Sequence, residues 1–111
     1  DSQGEVPKTL YHYIVIRRDL SLGDLAAQLT HAAGESATSP VPSGTHAVIL
    51  SVPTEQKLLE LELKLINEGI EHRAIREPDE PFNNQITAIG LVPTVKTPQI
   101  KKVLSSLPLL R

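Results

Sequence analysis

The stretch YIVIRRDLSLGDLAAQLTHAA, residues 13–33, combines a buried strand, a polar break and an amphipathic helix. Its first residues are apolar on both alternating faces, which is typical of an interior strand covered on both sides. The break carries two arginines and an acid in succession, Arg17, Arg18 and Asp19. Charged side chains therefore stand at the carboxyl end of a strand, where α/β proteins usually carry out their chemistry.

The helix after the break has an apolar face and a polar stripe. Apolar residues recur from Leu22 to Ala33 at the spacing of one helix face, and Ser21 or Asp19 is expected to cap the N-terminus. Four polar residues follow at steps of four, three and four, which places them on one line along the helix. They are Asp24, Gln28, His31 and Glu35.

Strand and helix patterns alternate along the rest of the chain. Strands are predicted at residues 46–52, 71–76 and 86–92, and helices from 53–55 to 67 or 68 and from 99 to 106. The resulting order, β-α-β-α-β-β-α, predicts an α/β three-layer sandwich with helices on both faces of a mixed four-stranded sheet. The strand pattern alone also allows a ferredoxin-like arrangement.

Length and composition exclude several classes of protein. A chain of 111 residues predicts one domain, assigned to residues 10–111, after a flexible segment at 1–9. Aromatic residues make up only 3%, so the core is aliphatic. The absence of cysteine excludes disulfides, thiolate nucleophiles and cysteine zinc sites. No apolar run reaches the ~20 residues of a membrane helix. The remaining histidines lack ligand spacing, so no metal is assigned.

The second helix is unusually rich in leucine. Its apolar residues span about half of the helix circumference at 100° per residue, more than packing on one sheet requires. They are Leu58, Leu59, Leu61, Leu63, Leu65 and Ile66. This width predicts a second contact, such as a homodimer interface. The alternative is a helix that lies deep in a small core.

Two motifs resemble those of the type 2 peptidyl-tRNA hydrolases. That family has a strand of the form V-x-R-x-D-L followed by a helix that reads A-A-Q-x-x-H-A, and later elements match in order and spacing over most of the chain. The matched residues are Arg17, Asp19, Leu20, Ala26, Ala27, Gln28, His31 and Ala32.

The chain departs from the family pattern at two places. The family loop after the first strand carries one or two lysines, whereas here Ser21–Asp24 contains none. After the third strand the family has Arg-Asp-Ala-Gly and then Thr-Gln, whereas here Arg76 is followed by Glu77 and the threonine is gone. These departures resemble the divergent peptidyl-tRNA hydrolase domain-containing branch.

The resemblance implies a cytoplasmic hydrolase that cleaves the ester between peptide and tRNA. It implies catalytic roles for Asp19, His31 and Glu77. It also implies that four residues bind the substrate: Arg17, Arg18, Gln28 and Arg76. No cofactor is implied, because an activated ester needs only positioned water and charge stabilisation.

Simpler interpretations stand beside this one. Asp19 is equally suited to capping the helix, and His31 to tethering it to a strand. The strand-end arginines, Arg73 among them, form either a phosphate-binding patch or salt bridges with nearby acids. At the level of function, the alternatives are a non-catalytic RNA- or protein-binding module and a small-ligand regulatory domain.

Overall fold

Every predicted element is present in the computed structural model, which describes residues 9–111. The elements are β1 (Tyr11–Arg17), α1 (Leu22–Ser36), β2 (His46–Val52), α2 (Glu55–Asn67), β3 (His72–Glu77), β4 (Gln85–Leu91) and α3 (Pro98–Leu104). The predicted fold class and element order are confirmed. The segment expected to be flexible lies, apart from Thr9, outside the described residues.

Strand direction brings four strand ends together, the carboxyl ends of β1, β2 and β3 and the amino end of β4. The strand order is β2-β1-β4-β3, with β1 parallel to β2 and β4 antiparallel to both β1 and β3. β1 and β3 therefore run the same way, and their carboxyl ends meet beside the amino end of β4. We call this end of the sheet, marked by Arg17, Val52, Glu77 and Gln85, the Arg17 end.

Helices cover both faces of the sheet. α1 packs on one face over a small cluster that includes Ile14, Ile16 and Ala88. α2 and α3 cover the other face over a larger aliphatic cluster. Since β-strand side chains alternate between faces, each strand contributes to both clusters. None of the helices in residues 9–111 is long and apolar enough to cross a membrane.

The leucine-rich helix α2 is buried on one side only. Its residues Leu58, Leu61 and Leu65 lie in the core. By contrast, Leu63 and Ile66 are 63% and 58% exposed. The width of its apolar face is therefore not explained by burial in the core alone.

The outer edge of β2 is covered by the C-terminal segment. Ser51 donates its backbone N–H to Pro108 O at 2.9 Å, and Leu110 donates to Ile49 O at 2.9 Å. Leu50 and Leu109 form an antiparallel bridge between these bonds. Residues 108–110 thus satisfy backbone groups of a strand edge that is otherwise open.

A close approach between α1 and β4 depends on Gly90. A Cβ atom at this position would overlap Ser36 Oγ and lie 2.6 Å from Ala32 O. Ser36 is itself fully buried, and its hydroxyl donates to Ala32 O at 2.6 Å. Since that hydroxyl uses its hydrogen, it accepts from His12 Nε2 at 2.7 Å, so His12 carries a proton on Nε2.

We expect Gly90→Ala to lower the free energy of unfolding by about 1–3 kcal/mol, the usual range for overpacking a core. The clash involves a backbone carbonyl, which cannot rotate away. Urea denaturation measures the effect. Gly34→Ala is the matched control, because its Cβ meets nothing within 4 Å. That variant is expected to gain about 0.5–1 kcal/mol from helix propensity. Equal stability of the two variants would contradict the packing argument.

Stability is also expected to fall as the pH drops below the ordinary histidine range. Burial holds the pKa of His12 below its usual value. The unfolded chain takes up a proton near pH 6.5, whereas the folded chain stays neutral to lower pH, so acid favours unfolding. Urea midpoints at pH 7.5 and pH 5 measure this difference. It should shrink in His12→Gln and persist in the exposed-site control His46→Gln. An unchanged difference in His12→Gln would assign the effect to another group.

Candidate functional site

The turn after β1 contains both the residue that caps α1 and a carboxylate that does not. Ser21 is the N-cap of α1, and its hydroxyl accepts from the backbone N–H of Asp24 at 3.3 Å. Asp19 therefore does not cap the helix, which removes that interpretation of its carboxylate. The carboxylate binds Arg17 instead, and so remains at the Arg17 end of the sheet.

Arg17 is a buried cation with every terminal nitrogen engaged. Its Nε and Nη2 each donate to Asp19 at 2.8 Å, and its Nη1 donates to Gln85 Oε1 at 2.9 Å and Ile86 O at 3.1 Å. The ring of Phe82 lies 5.8 Å from the guanidinium carbon. We call Arg17, Asp19, Phe82 and Gln85 the Arg17 cluster.

The ion pair between Arg17 and Asp19 shifts the pKa of both side chains. Hydrogen bonds from Arg17 hold the pKa of Asp19 below its usual value, against a smaller opposing effect of burial. The same bonds raise the pKa of Arg17. Asp19 is consequently ionised at neutral pH, with both oxygens already accepting from one guanidinium.

A second polar chain connects α1 to β3 and β4. Thr87 donates its hydroxyl to Gln28 Oε1 at 2.8 Å, and Gln28 Nε2 donates to Glu77 Oε1 at 3.1 Å. Gln28 is 3% exposed and Thr87 is fully buried. Since the Gln28 amide is held at both atoms, its orientation is fixed, and so is the oxygen of Glu77 that it contacts. We call Gln28, Glu77 and Thr87 the Gln28 cluster.

An irregularity in β4 brings Thr87 to this position. Ile75 pairs with Ala88, but the next residue, Arg76, pairs with Ile86, so Thr87 is left between the two pairs. Ala88 lies in the core beneath α1, and Thr87 contacts Gln28 of the same helix. Both consecutive side chains thus face α1, which a regular strand does not allow.

A cavity of about 200 Å³ opens beside the Gln28 cluster. Its lining residues are Gln28, His31, Glu35, Ile75, Arg76, Glu77 and Pro78. His31 is exposed here, one helical turn beyond Gln28. The structure therefore brings four sequence-predicted site residues to the lining of one small opening: Gln28, His31, Arg76 and Glu77.

Asp19 lies at the same end of the sheet but does not line this cavity. Arg17 follows Val15 by two residues and so faces α2, whereas Glu77 follows Ile75 by two and faces α1. The Arg17 and Gln28 clusters consequently flank the sheet from opposite faces. Gln85 of β4 belongs to the Arg17 cluster, and Thr87 of the same strand belongs to the Gln28 cluster. Strand β4 therefore connects the two clusters.

The strand-end arginines do not form the predicted common patch. Arg76 binds Glu62 of α2 through both terminal nitrogens, at 2.8 and 3.1 Å, which raises the pKa of Arg76. Arg73 lies near the start of β3, so strand direction places it at the opposite end of the sheet, beside Glu71 at 3.5 Å. Arg18 is the exception, exposed and with no acidic partner among residues 9–111.

Sequence reasoning missed three residues of the site, Phe82, Gln85 and Thr87. A signal existed for Thr87, which is the one polar side chain inside the apolar strand pattern ITAIGLV. Phe82 and Gln85 flank a turn in which Asn83 and Asn84 adopt φ of 47° and 71°. Asparagine tolerates this left-handed conformation, which turns the chain back into β4.

Neither a metal centre nor a larger cavity competes with this site in residues 9–111. Within residues 9–111, no three histidine, aspartate or glutamate side chains are grouped closely enough to hold a metal ion. A larger cavity of about 370 Å³ lies at the other end of the sheet, and its charged lining residues are Glu68 and Glu71. An acidic lining of that kind repels the phosphates of a nucleic acid.

Comparison with known proteins gives both a structural neighbour and a family. A protein of unknown function from Agrobacterium tumefaciens strain C58 shares the fold, with a TM-score of 0.67 over 92% of this chain and 98% of that one. At 11% identity this likeness concerns the fold alone. No curated protein sequence matches the chain. The sequence profile described as peptidyl-tRNA hydrolase PTH2 matches residues 10–110, nearly the full length, and the chain therefore belongs to the peptidyl-tRNA hydrolase PTH2 family.

Proposed function

We propose that this protein hydrolyses the ester bond between a peptide and tRNA, and that it does so at the cavity beside the Gln28 cluster. The observation that carries the proposal is the fixed amide of Gln28, which holds Glu77 at the mouth of a cavity that His31 also lines. Membership of the PTH2 family supports peptidyl-tRNA as the substrate.

Glu77 takes the role of the carboxylate that orients the attacking water. Its Oε1 accepts from Gln28, and its Oε2 has only a long contact of 3.4 Å from the backbone N–H of Asp79. Oε2 is thus the oxygen with accepting capacity left for a water molecule. His31, whose imidazole both donates and accepts, relays a proton between that water and the leaving tRNA hydroxyl.

Asp19 acts as a fixed negative charge rather than as the base. Both of its oxygens accept from Arg17, and its pKa is lowered, so it has little tendency to take a proton. Its contribution to catalysis is to keep Arg17, and through it Gln85 and the start of β4, in place. Of the three arginines assigned to substrate binding, Arg17, Arg18 and Arg76, Arg18 alone is free of an ion pair within residues 9–111.

Turnover is expected to be slow, because the loop at 21–24 has no lysine to stabilise the developing negative charge. Loss of one such donor typically costs a factor of about 100 or more in rate. The same observation favours the second candidate, a non-catalytic RNA- or protein-binding module. That module would bind tRNA and leave the ester intact. We place either activity in the cytoplasm.

We expect Glu77→Gln to reduce the rate of peptidyl-tRNA deacylation by about a hundredfold or more, because the isosteric amide keeps the shape but lacks the negative charge that orients the attacking water. Release of labelled peptide from peptidyl-tRNA measures the rate, with a lysine-bearing family member assayed side by side. Glu71→Gln, an exposed carboxylate at the other end of β3, is the matched control and should keep full activity.

The comparison with Asp19→Ala separates the two carboxylates. That variant should lose activity together with stability, because it leaves Arg17 buried without its main partner, whereas Glu77→Gln should lose activity at unchanged stability. Full activity in Glu77→Gln would overturn the assignment of this residue. Absence of cleavage by the wild-type protein under conditions where the family member is active would favour the binding module.

We also propose that two copies associate through the exposed face of α2, which carries Leu63 and Ile66. Sedimentation of the wild type over micromolar to millimolar concentrations should show a dimer. Leu63→Glu should be a monomer, since a charge in an apolar contact is costly. Leu22→Glu, at an 83% exposed leucine on α1, is the control and should still dimerise. A wild type that stays monomeric over the whole range would contradict the proposal.

A further inference from the structure

A second cavity, of about 300 Å³, lies on the α2 side of the Arg17 end. It lies between the end of β2, one face of α2 and the segment at 106–108. Its polar lining residues include Arg18, Ser51, Lys57, Glu60 and Lys64. We call this cavity the α2 groove. It shares no lining residue with the cavity beside the Gln28 cluster.

The α2 groove is basic on a protein that is acidic overall. Three cations line it against one carboxylate, Glu60, whereas the whole chain has a formal charge of -2. The cavity that contains Glu68 and Glu71 and the one that contains His31 and Glu77 lack this excess of positive charge, whereas a cavity lined by Lys96 and Lys101 shares it. A local excess of cations in a concave surface attracts an anionic ligand.

The cations of the α2 groove are available to a ligand. Arg18 makes one side-chain hydrogen bond, a long one of 3.4 Å to the neutral hydroxyl of Ser51. Lys57 and Glu60 are both exposed and 3.4 Å apart, a geometry that contributes little energy. Lys64 has no side-chain hydrogen bond or ion pair to the other residues of the described chain. Arg17 and Arg76, by contrast, have their terminal nitrogens committed to acids.

Two of the three cations are spaced along α2. Lys57 and Lys64 are two turns apart on the same face of α2, a rise of about 10 Å at 1.5 Å per residue. Arg18 is fixed at the near end, since its backbone N–H donates to Val52 O at 2.8 Å. It is also the neighbour of Asp19 in the chain. The groove therefore leads from α2 to the Arg17 end of the sheet.

We propose that the α2 groove binds the phosphate backbone of RNA, so that a tRNA acceptor arm reaches the Arg17 end of the sheet beside α2. Phosphates along an RNA strand match cations spaced along α2, and such contacts position an RNA without reading its sequence. Aromatic residues make up only 3% of the chain, so stacking on bases is a poor alternative to phosphate contact. The choice of tRNA rests on the proposed function, whereas the contact with phosphate rests on the groove itself.

Binding of uncharged tRNA tests the proposal without any ester to cleave. The variant Lys57→Gln/Lys64→Gln should bind fluorescent tRNA about tenfold or more weakly near 0.1 M salt. Its plot of log affinity against log salt should be shallower by about 0.7–0.9 for each phosphate that the variant no longer neutralises. Both lysines are exposed, so the fold should persist, and a thermal melt checks this. Arg18→Gln should weaken binding in the same direction.

The matched control also removes two positive charges, but at the other end of the sheet. Arg73→Gln/Lys96→Gln changes two cations there, one of which, Lys96, lies 4.9 Å from the ring of Tyr11 at the start of β1. This variant should keep wild-type affinity and salt dependence. Equal reductions in affinity in the two double variants would mean that net charge alone governs binding, and would overturn the groove.

The outcomes separate this inference from the proposed hydrolase. Weaker tRNA binding by the groove variant with no ester cleavage by the wild type would support the groove and contradict the hydrolase. Cleavage that is unaffected in the groove variant, together with unchanged tRNA affinity, would overturn the groove and leave the hydrolase standing. Binding of poly-glutamate but not of tRNA would also overturn the proposal, in favour of an acidic protein partner.

Discussion

The hydrogen bonds of the buried Arg17 guanidinium hold the end of the sheet together. A charge that is removed from water must find partners, and this one finds them on the turn after β1 and at the start of β4. Phe82 covers it from the loop that joins β3 to β4. The position of that loop, and hence of Gln85 and Thr87, depends on the hydrogen bonds that the Arg17 guanidinium requires.

The arginines of the protein differ in whether their guanidinium group is already paired with an acid. Arg17 and Arg76 stabilise the fold through acids, Asp19 and Glu62, that accept from their guanidinium groups at distances of 2.8 to 3.1 Å. Such pairs are poorly suited to bind a substrate, because a phosphate would have to displace a carboxylate that is already in place. Under the proposed function, binding of a phosphate would therefore depend on cations outside these pairs, while the fixed amide of Gln28 orients Glu77.

Local sequence patterns predicted the helices and strands, whereas the geometry of the candidate site depends on residues that are distant in the chain. The apolar periodicity of residues 22–33 and the run HAVILSV are properties of neighbouring residues, so α1 and β2 follow from the sequence alone. Gln85, which accepts from Arg17, and Glu77, which accepts from Gln28, lie 68 and 49 residues away in the chain, and no local pattern encodes such pairs. The shifted register at Thr87 likewise depends on how two strands meet. The family motif did include Gln28 and His31, and the structure places both beside one cavity.

The cover that residues 108–110 give to β2 has a consequence for biosynthesis. A chain that elongates on the ribosome presents the outer edge of β2 with unpaired backbone groups until this segment has emerged. All four strands of the sheet precede it in the chain, so the sheet can assemble before its border is closed. During that interval the exposed edge is a template for pairing with another nascent chain. Protection from aggregation is thus among the last properties that this domain acquires.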